Sequence, residues 1–504
     1  MRMQCAVASA AISGVRAIPV QVEVAVSGGI PGMSIVGMPD TAVQEARERV
    51  RAAVKGCGFS MPAEKIVVNL APSSLRKTGS GFDLPIAAGI LVATGQIPPE
   101  AVRGKLMVGE LSLEGFVRPV KGMLAYEVCA RAEGLTVVCS PACRDVTELE
   151  DVEVRSIRTL RDLQSGEYGS FGRRPLAPEG SVPDFADIAG HEYEKRAFQI
   201  AAAGGLGVLM MGPPGSGKTM LASRAASILP PLSEEERLET ALVYSVAGGD
   251  VDGVLAGRRP FRAPHHGTTM AGLVGGGNPP KPGEASLAHN GILFLDELGE
   301  FSSSVLQGIR QPLESGMVRL VRASYRVTFP ARFMLVAASN PCPCGYFGDA
   351  EVACSCPEAR VRAYQNRIGG PLMDRIDIHL DVSRPRPEDL LRPTGASTGT
   401  TELREGVLRA RAFASWRRAR DANAPFQGPR GEGSLEAVLA SCRLDRRALG
   451  LLESMARATS MSPRGIVRTL RIARAIADVA EREQAYEEDV AEALGYHVRE
   501  GIGA

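Results

Sequence analysis

The chain has no long apolar run: nothing in its 504 residues approaches the roughly 18 consecutive apolar residues of a membrane helix. A membrane-embedded machine is therefore excluded, and no membrane partner is expected. It also lacks an excess of either charge, since 58 Lys and Arg against 57 Asp and Glu leave a net +1. Any contact with nucleic acid has to come from a local basic patch. No lysine follows Lys281; arginine carries the positive charge from there on, which fits a composition bias better than a DNA-binding signal outside the motifs. The opening MRMQCAVASAAISGV lacks a long apolar h-region and runs into the strand-like Val20 to Val26, so no signal peptide and a cytoplasmic location are expected. In that location the ten cysteines are thiols or metal ligands rather than disulfides. Internal repeats are absent as well.

What is present is a phosphate loop. Gly212-Pro213-Pro214-Gly215-Ser216-Gly217-Lys218-Thr219 lies between the apolar Gly207 to Met211 and the helix-like Met220 to Ala226, the order strand, loop, helix. Glycines there let backbone N–H groups face phosphates, and the helix N-terminus adds partial positive charge. Lys218 reaches the β and γ oxygens, and the Thr219 hydroxyl ligates Mg²⁺. ATP and Mg²⁺ are the expected cofactors.

A second apolar strand, Gly291 to Leu295, ends in Asp296 and Glu297. Such a strand suits a parallel sheet buried on both faces. Asp296 is placed to hold Mg²⁺, and Glu297 to orient and deprotonate the water that attacks the γ-phosphate. A third buried strand, Phe333 to Ser339, ends at Asn340, a candidate sensor of the γ-phosphate or the lytic water. The stretch from Lys218 to Asp296 exceeds one helix-strand unit of roughly 30 residues, so it holds an insertion. That insertion contains the adjacent His265 and His266, poorly spaced as metal ligands because strand neighbours face opposite ways. They mark either a loop contacting substrate or a neighbouring subunit, or a structural turn. Val318 to Pro330 reads as a hairpin with basic residues near its tip, either a phosphate-backbone contact or a solvated turn. Cys342, Cys344, Cys354 and Cys356 form two C-x-C pairs nine residues apart, a set that either holds tetrahedral Zn²⁺ or remains as reduced loop thiols.

Length and composition allow two or three domains. Gly/Pro-rich, aperiodic stretches mark linkers at 168–184 and 384–430, which bound an N-terminal domain at 1–167, an α/β core at 185–383 and a helical region at 431–504.

The stretches DIAGHEYEKRAFQIAAAGG, GPPGSGKTMLA, RPFRAPHH, LVGGGNPPKPGEASLAHNGILFLDEL, FPARFMLVAASNPCPCGYFGD and RIGGPLMDRIDIH occur in that order. Together they resemble the ComM/YifB family of magnesium-chelatase-like AAA+ ATPases, over essentially the whole chain. The resemblance implies an AAA+ parallel-sheet ATPase core, a C-terminal helical lid and a homo-hexameric ring with ATP between subunits. For family members with a known role it implies DNA branch migration, with single-stranded and branched DNA, and recombination proteins, as partners. It also implies that Arg375 is the arginine finger, with Arg367 a second, and that Arg464 is the lid's sensor arginine. A planar, permanently charged fork suits spread phosphate charge. One departure is His191, where relatives usually carry Gln near the adenine.

The N-terminal domain resembles the Lon protease fold, an α+β domain, in RKTGSGFDLPIAAGIL and in Val108 to Ala142. In that register Gly81 stands at the serine position and Leu124 at the lysine position. Neither can act as nucleophile or base, and the nearby Ser80 and Lys77 do not restore the geometry. The domain is expected to be a catalytically dead ring-forming or DNA-guiding scaffold. A chelatase-type motor acting on a protein client is the alternative function. The metal-binding D-x-S-x-S that such a machine needs in its partner is absent here, the nearest stretch being Asp381-Val382-Ser383-Arg384-Pro385.

Overall fold

A computed structural model describes residues 3–147, 149–171, 183–322, 325–349, 351–368, 372–385, 397–420 and 435–496. Residues 3–171 build a mixed eight-stranded sheet. Its centre is the antiparallel pair Met3–Ser13 and Arg16–Ser27, which meet from Met3 opposite Val26 to Ser13 opposite Arg16. The alternation of Val20, Val22, Val24 and Val26 along the second strand turns one face to the core, where helix Asp83–Ala93 is buried along nearly its whole length. The first boundary read from the sequence shifts slightly. Gly169–Ser170 still pairs with Val154–Ser156, so the sheet extends past 167, while 172–182 of the expected linker lie outside the described residues.

The second unit is an all-parallel five-stranded sheet. Val208–Met211 lies at its switch point, between Met334–Ser339 and Ile378–Asp381, with Ile292–Leu295 and Phe261–Arg262 beyond. The three central strands are buried on both faces, because helices cover each side as parallel crossovers require. Helix Glu192–Gly204 covers one face and helix Ser303–Ser315 the other. The expected hairpin is present as Met317–Arg322 paired with Tyr325–Pro330. Val318, Val327 and Phe329 point inward and Arg319, Arg322 and Arg326 outward; Ala323 and Ser324 lie outside the described residues.

One expectation needs correction. The 384–430 segment is not a linker throughout, for Thr400–Arg420 is a 21-residue helix. Its arginines and alanines mask the amphipathic pattern, yet Leu403, Val407 and Ala410, one helical face apart by four and three residues, are buried against helix Glu192–Gly204. Residues 386–396 and 421–434 of that segment lie outside the described residues. Four further helices follow, Leu435–Cys442, Arg446–Ala458, Pro463–Val479 and Glu487–Gly495. The third starts on a Ser462 cap with Pro463 at its first turn, where a missing N–H costs nothing.

The two sheets are joined through helix Glu234–Ala247. A capping box of Ser233 and Glu236 and three glutamates in its first turn fix its start. Its other end carries Ser245, whose carbonyl accepts from Gly122 N at 3.1 Å, while its hydroxyl accepts from Leu124 N at 3.3 Å and donates to Asp145 at 2.6 Å. Leu124 is fully buried against Leu232, Ala241 and Leu242, a contact worth roughly 1.5–3 kcal/mol for a leucine side chain.

Candidate functional site

The carboxyl ends of the central strands converge on the phosphate loop, the crevice where open α/β sheets bind ligands. Val208–Met211 delivers Gly212, and Gly217, at φ +86°, turns the chain into helix Lys218–Arg224. The positive φ there suits glycine, and a Cβ built at Gly217 would reach only van der Waals distance, 3.4 Å, from His191 Nε2. The His191 ring therefore sits against the phosphate loop, its Nδ1 3.4 Å from Glu194.

Lys218 is nearly buried. Its ammonium donates to the carbonyls of Gly212 and Pro213, each at 2.8 Å, to Ser216 Oγ at 3.3 Å and to Asn340 Oδ1 at 3.3 Å. Burial pushes its pKa down, and the Asp296 charge opposes that. Thr219 Oγ1 donates to Asp296 Oδ2 at 2.9 Å, and Asp296 Oδ1 accepts from Glu297 N at 2.9 Å. Glu297 is in the left-handed region, φ +51°, and its exposed carboxylate is 3.2 Å from His266 Nδ1. Lys218, Thr219, Asp296, Glu297 and Asn340, named from separate stretches of sequence, thus form one cluster.

The histidine pair departs from expectation. Because it lies beyond the two-residue strand Phe261–Arg262, in a turn where His265 O accepts from Thr268 N at 2.9 Å, the rings do not face opposite ways. Their centroids lie 4.0 Å apart with the ring planes tilted by 35°, His265 Nδ1 accepting from Gly267 N. The His266–Glu297 contact was not foreseen, and only the shared proximity of both residues to strand ends hinted at it.

The four cysteines also converge. The Sγ atoms of Cys342, Cys344 and Cys354 are 3.3 to 3.7 Å apart, and Cys356 brings a fourth within 4.8 Å of all. Tetrahedral Zn–S bonds of about 2.3 Å imply sulfur separations near about 3.8 Å, so the set fits that ion. Backbone N–H groups of Tyr346 and Ser355 hold the Cys344 thiol down, at about 5. The loop abuts the phosphate loop: at Gly345, φ +88°, a Cβ would come 2.5 Å from Pro214 Cδ. Arg384 ties its far side down through Asp349 at 3.5 Å and Glu351 at 3.4 Å.

The arginines lie elsewhere. Arg375 ends a short turn just before Ile378–Asp381, and Ile378 is level with Val208. Arg375 is therefore at the amino edge of the sheet, a strand length of roughly 13 Å from its own phosphate loop. Its guanidinium is bonded to Glu314, with Nε at 2.6 Å. Arg464 joins the same edge through Asp374 at 3.5 Å. Arg367 is exposed in the last turn of helix Glu358–Ile368.

In the N-terminal domain a Cβ at Gly81 would meet Val108 at 3.1 Å, and Leu124 is committed to the contact described above. Lys77 is buried with its ammonium on the carbonyls of Gly37, at 2.9 Å, and Pro72. Ser80 donates to Glu110.

Among the described residues no helix is long and apolar enough to cross a membrane. Comparison with known proteins matches residues 184–390 to the family described as Magnesium chelatase, subunit ChlI. Residues 22–143 match Subunit ChlI of Mg-chelatase and 397–497 its C-terminal region. A protein named YifB from Salmonella typhimurium is 38% identical over 493 residues, 96% of this chain and 95% of its own. Competence protein ComM of Haemophilus influenzae is 40% identical over 504 residues, 97% of this chain and 96% of its own. The Magnesium-chelatase 67 kDa subunit of Chlorobaculum parvum is 30% identical over 168 residues, 31% of this chain and 23% of its own.

Proposed function

The chain belongs to the ComM/YifB family of magnesium-chelatase-like AAA+ ATPases, and from that premise we propose that it is an ATP-hydrolysing ring motor acting on DNA, a branch-migration helicase serving recombination or natural transformation. The observation that carries the catalytic part is Lys218: a nearly buried ammonium whose hydrogen-bond partners are all neutral oxygens. A buried cation is costly without an anion, so this cradle suits a triphosphate.

In the proposed mechanism Lys218 and the loop's N–H groups bind the β and γ oxygens. Thr219 and Asp296, already 2.9 Å apart, are the pair that would hold Mg²⁺, which supplies charge neutralisation on the phosphates when bound. Glu297 takes the proton of the attacking water, and Asn340 orients the γ-phosphate from the neighbouring strand end. Arg375 and Arg464, at the opposite edge of the sheet, serve the nucleotide of an adjacent subunit, which supports a closed homo-hexamer. Movement of the C-terminal helices against the core would then carry the loops of the insertion and the arginine-bearing hairpin along single-stranded or branched DNA. The N-terminal domain, Lon-like in its sequence, is a scaffold in this reading. A Zn²⁺ ion on Cys342, Cys344, Cys354 and Cys356 would fasten the loop that abuts Pro214.

The test is ATP turnover without DNA, with single strands and with a three- or four-way junction, Glu297→Gln serving as control. Turnover raised by DNA, with movement of the junction, is expected. Turnover indifferent to DNA with a static junction would sink the DNA reading and leave the chelatase-type motor acting on a protein client, which the partial likeness to a magnesium-chelatase subunit supports.

A further inference from the structure

Behind the central sheet, at its amino edge, lies a cavity of about 320 Å³. It is bounded by the carboxyl end of helix Glu192–Gly204, by helix Thr400–Arg420 and by helix Pro463–Val479. Ala203 to Leu206 form its floor, and since they precede Val208–Met211 while the phosphate loop follows it, the cavity is separated from the nucleotide cleft by the sheet's depth.

Five arginines line it: Arg411, Arg417, Arg418, Arg471 and Arg474. Two carboxylates answer them. Asp478 pairs with Arg417 and Arg474, each at 3.1 Å, and Asp377 with Arg471 at 3.0 Å. Arg411 is bonded to the Ala202 carbonyl through Nε at 3.0 Å and Nη2 at 2.7 Å, a neutral partner at the helix C-terminus. Burial pushes its pKa down to about 10, the Arg259 and Arg418 charges push the same way and the Glu236 charge opposes them. Arg418 is exposed, its Nε on the carbonyl of Ala414 in its own helix. The Nε of Arg474, on a side chain 8% exposed, is buried and finds no hydrogen-bond partner among the described residues. Ala414, Val438 and Ala475 supply an apolar wall.

We propose that this cavity is a second anion site, distinct from the ATP site, that takes a small phosphorylated molecule. Among the described residues the five guanidiniums that line the cavity outnumber Asp478 and Asp377, and that excess of positive charge calls for an acceptor-rich dianion. The volume stands at the lower end of small-ligand pockets, roughly 300–1,000 Å³, which admits a phosphate group with a compact body. Phosphate chemistry could come from the free ion or from an ester, and the apolar wall favours the ester.

The experiment uses the full chain carrying Lys218→Ala, which weakens the phosphate-loop site, titrated calorimetrically with inorganic phosphate and separately with AMP. Saturable binding of one equivalent is expected, tighter for AMP than for phosphate; equal affinity would assign the site to the free ion and still uphold it. Adding Arg418→Gln, an exposed position that spares the fold, should weaken binding at least tenfold, and Arg411→Met should abolish it. Arg103→Gln, an exposed arginine of the N-terminal domain, should leave AMP binding unchanged. If neither probe binds, if binding survives Arg418→Gln unchanged, or if single-stranded DNA displaces AMP at equimolar amounts, the proposal fails. Because the ATP site is already disabled in this background, failure here leaves the proposed motor function untouched, and failure of that function leaves this site untouched.

Discussion

His266 holds Glu297. Nδ1 of the one stands 3.2 Å from the carboxylate of the other, and the backbone of Glu297 lies in the left-handed region, at φ +51°. Among the described residues His266 is the side chain that approaches this exposed carboxylate, so His266 is a positioning residue in the proposed hydrolysis. His266→Ala is expected to lower kcat for ATP by about tenfold with KM little changed, less than the ~10²–10⁴-fold of removing the base itself. Steady-state turnover of both variants checks it; an unaltered kcat would dismiss the role.

The distance between Arg375 and its own phosphate loop yields a complementation experiment. Arg375→Ala and Lys218→Ala chains should each be inactive alone, by ~10³-fold or more. Mixed, they should regain a fraction of wild-type turnover, because some interfaces would then pair an intact Lys218 with a neighbour's intact Arg375. A mixture as inactive as its components would mean that both residues serve one subunit.

The cysteine cluster predicts a metal content. Elemental analysis of the full chain should give about one zinc per chain, and joint Cys354→Ser and Cys356→Ser should remove it. Since Gly345 presses on Pro214, the same double variant is expected to bind ATP about tenfold more weakly. A zinc-free wild-type chain with normal ATP binding would make these four residues reduced loop thiols.

Glu127 predicts a pH effect on stability. Burial raises its carboxyl from 4.5 to about 7, although N–H and O–H donors from Thr147 and Leu149 work against that rise. Its folded pKa lies above the unfolded one, and the group is an acid. Between pH 4.5 and 7 the native state therefore holds a proton that the unfolded chain has lost, and stability falls as pH rises through that window. The loss amounts to ~3 kcal/mol at most by pH 7. Glu127→Gln should flatten the fall, seen as a smaller difference in denaturation midpoint between pH 5 and pH 7 than in the wild type. Parallel pH profiles would refute it.

The candidate nucleotide cleft was legible because each of its parts is local. Gly212, Asp296 and Asn340 sit where a strand ends, and a strand end can be read from an apolar run and the residue that stops it. Helix Thr400–Arg420 was not legible, since the apolar part of its buried face is Leu403, Val407 and Ala410, beside Gly406 and Arg417, among many arginines, and its helicity rests on packing against Glu192–Gly204. The role of Leu124 was half legible. Its sequence neighbourhood showed that no lysine stands there, but that leucine instead anchors one sheet to the other depends on Ser245, distant in the chain. The arginine-lined cavity was invisible for the same reason: its walls come from segments far apart in sequence, and a bias towards arginine hides any local excess.

The phosphate loop at rest satisfies itself, with Lys218 on its own loop's carbonyls and on Asn340, and Thr219 on Asp296. Nucleotide entry is consequently a swap of partners and not the filling of a void. Each bond gained to a phosphate oxygen is set against one given up inside the protein, so measured affinity is a difference between two bonded states and understates the strength of either. The same swap frees Asn340 and Asp296 together, which makes arrival of the nucleotide an event sensed at once on both neighbouring strands.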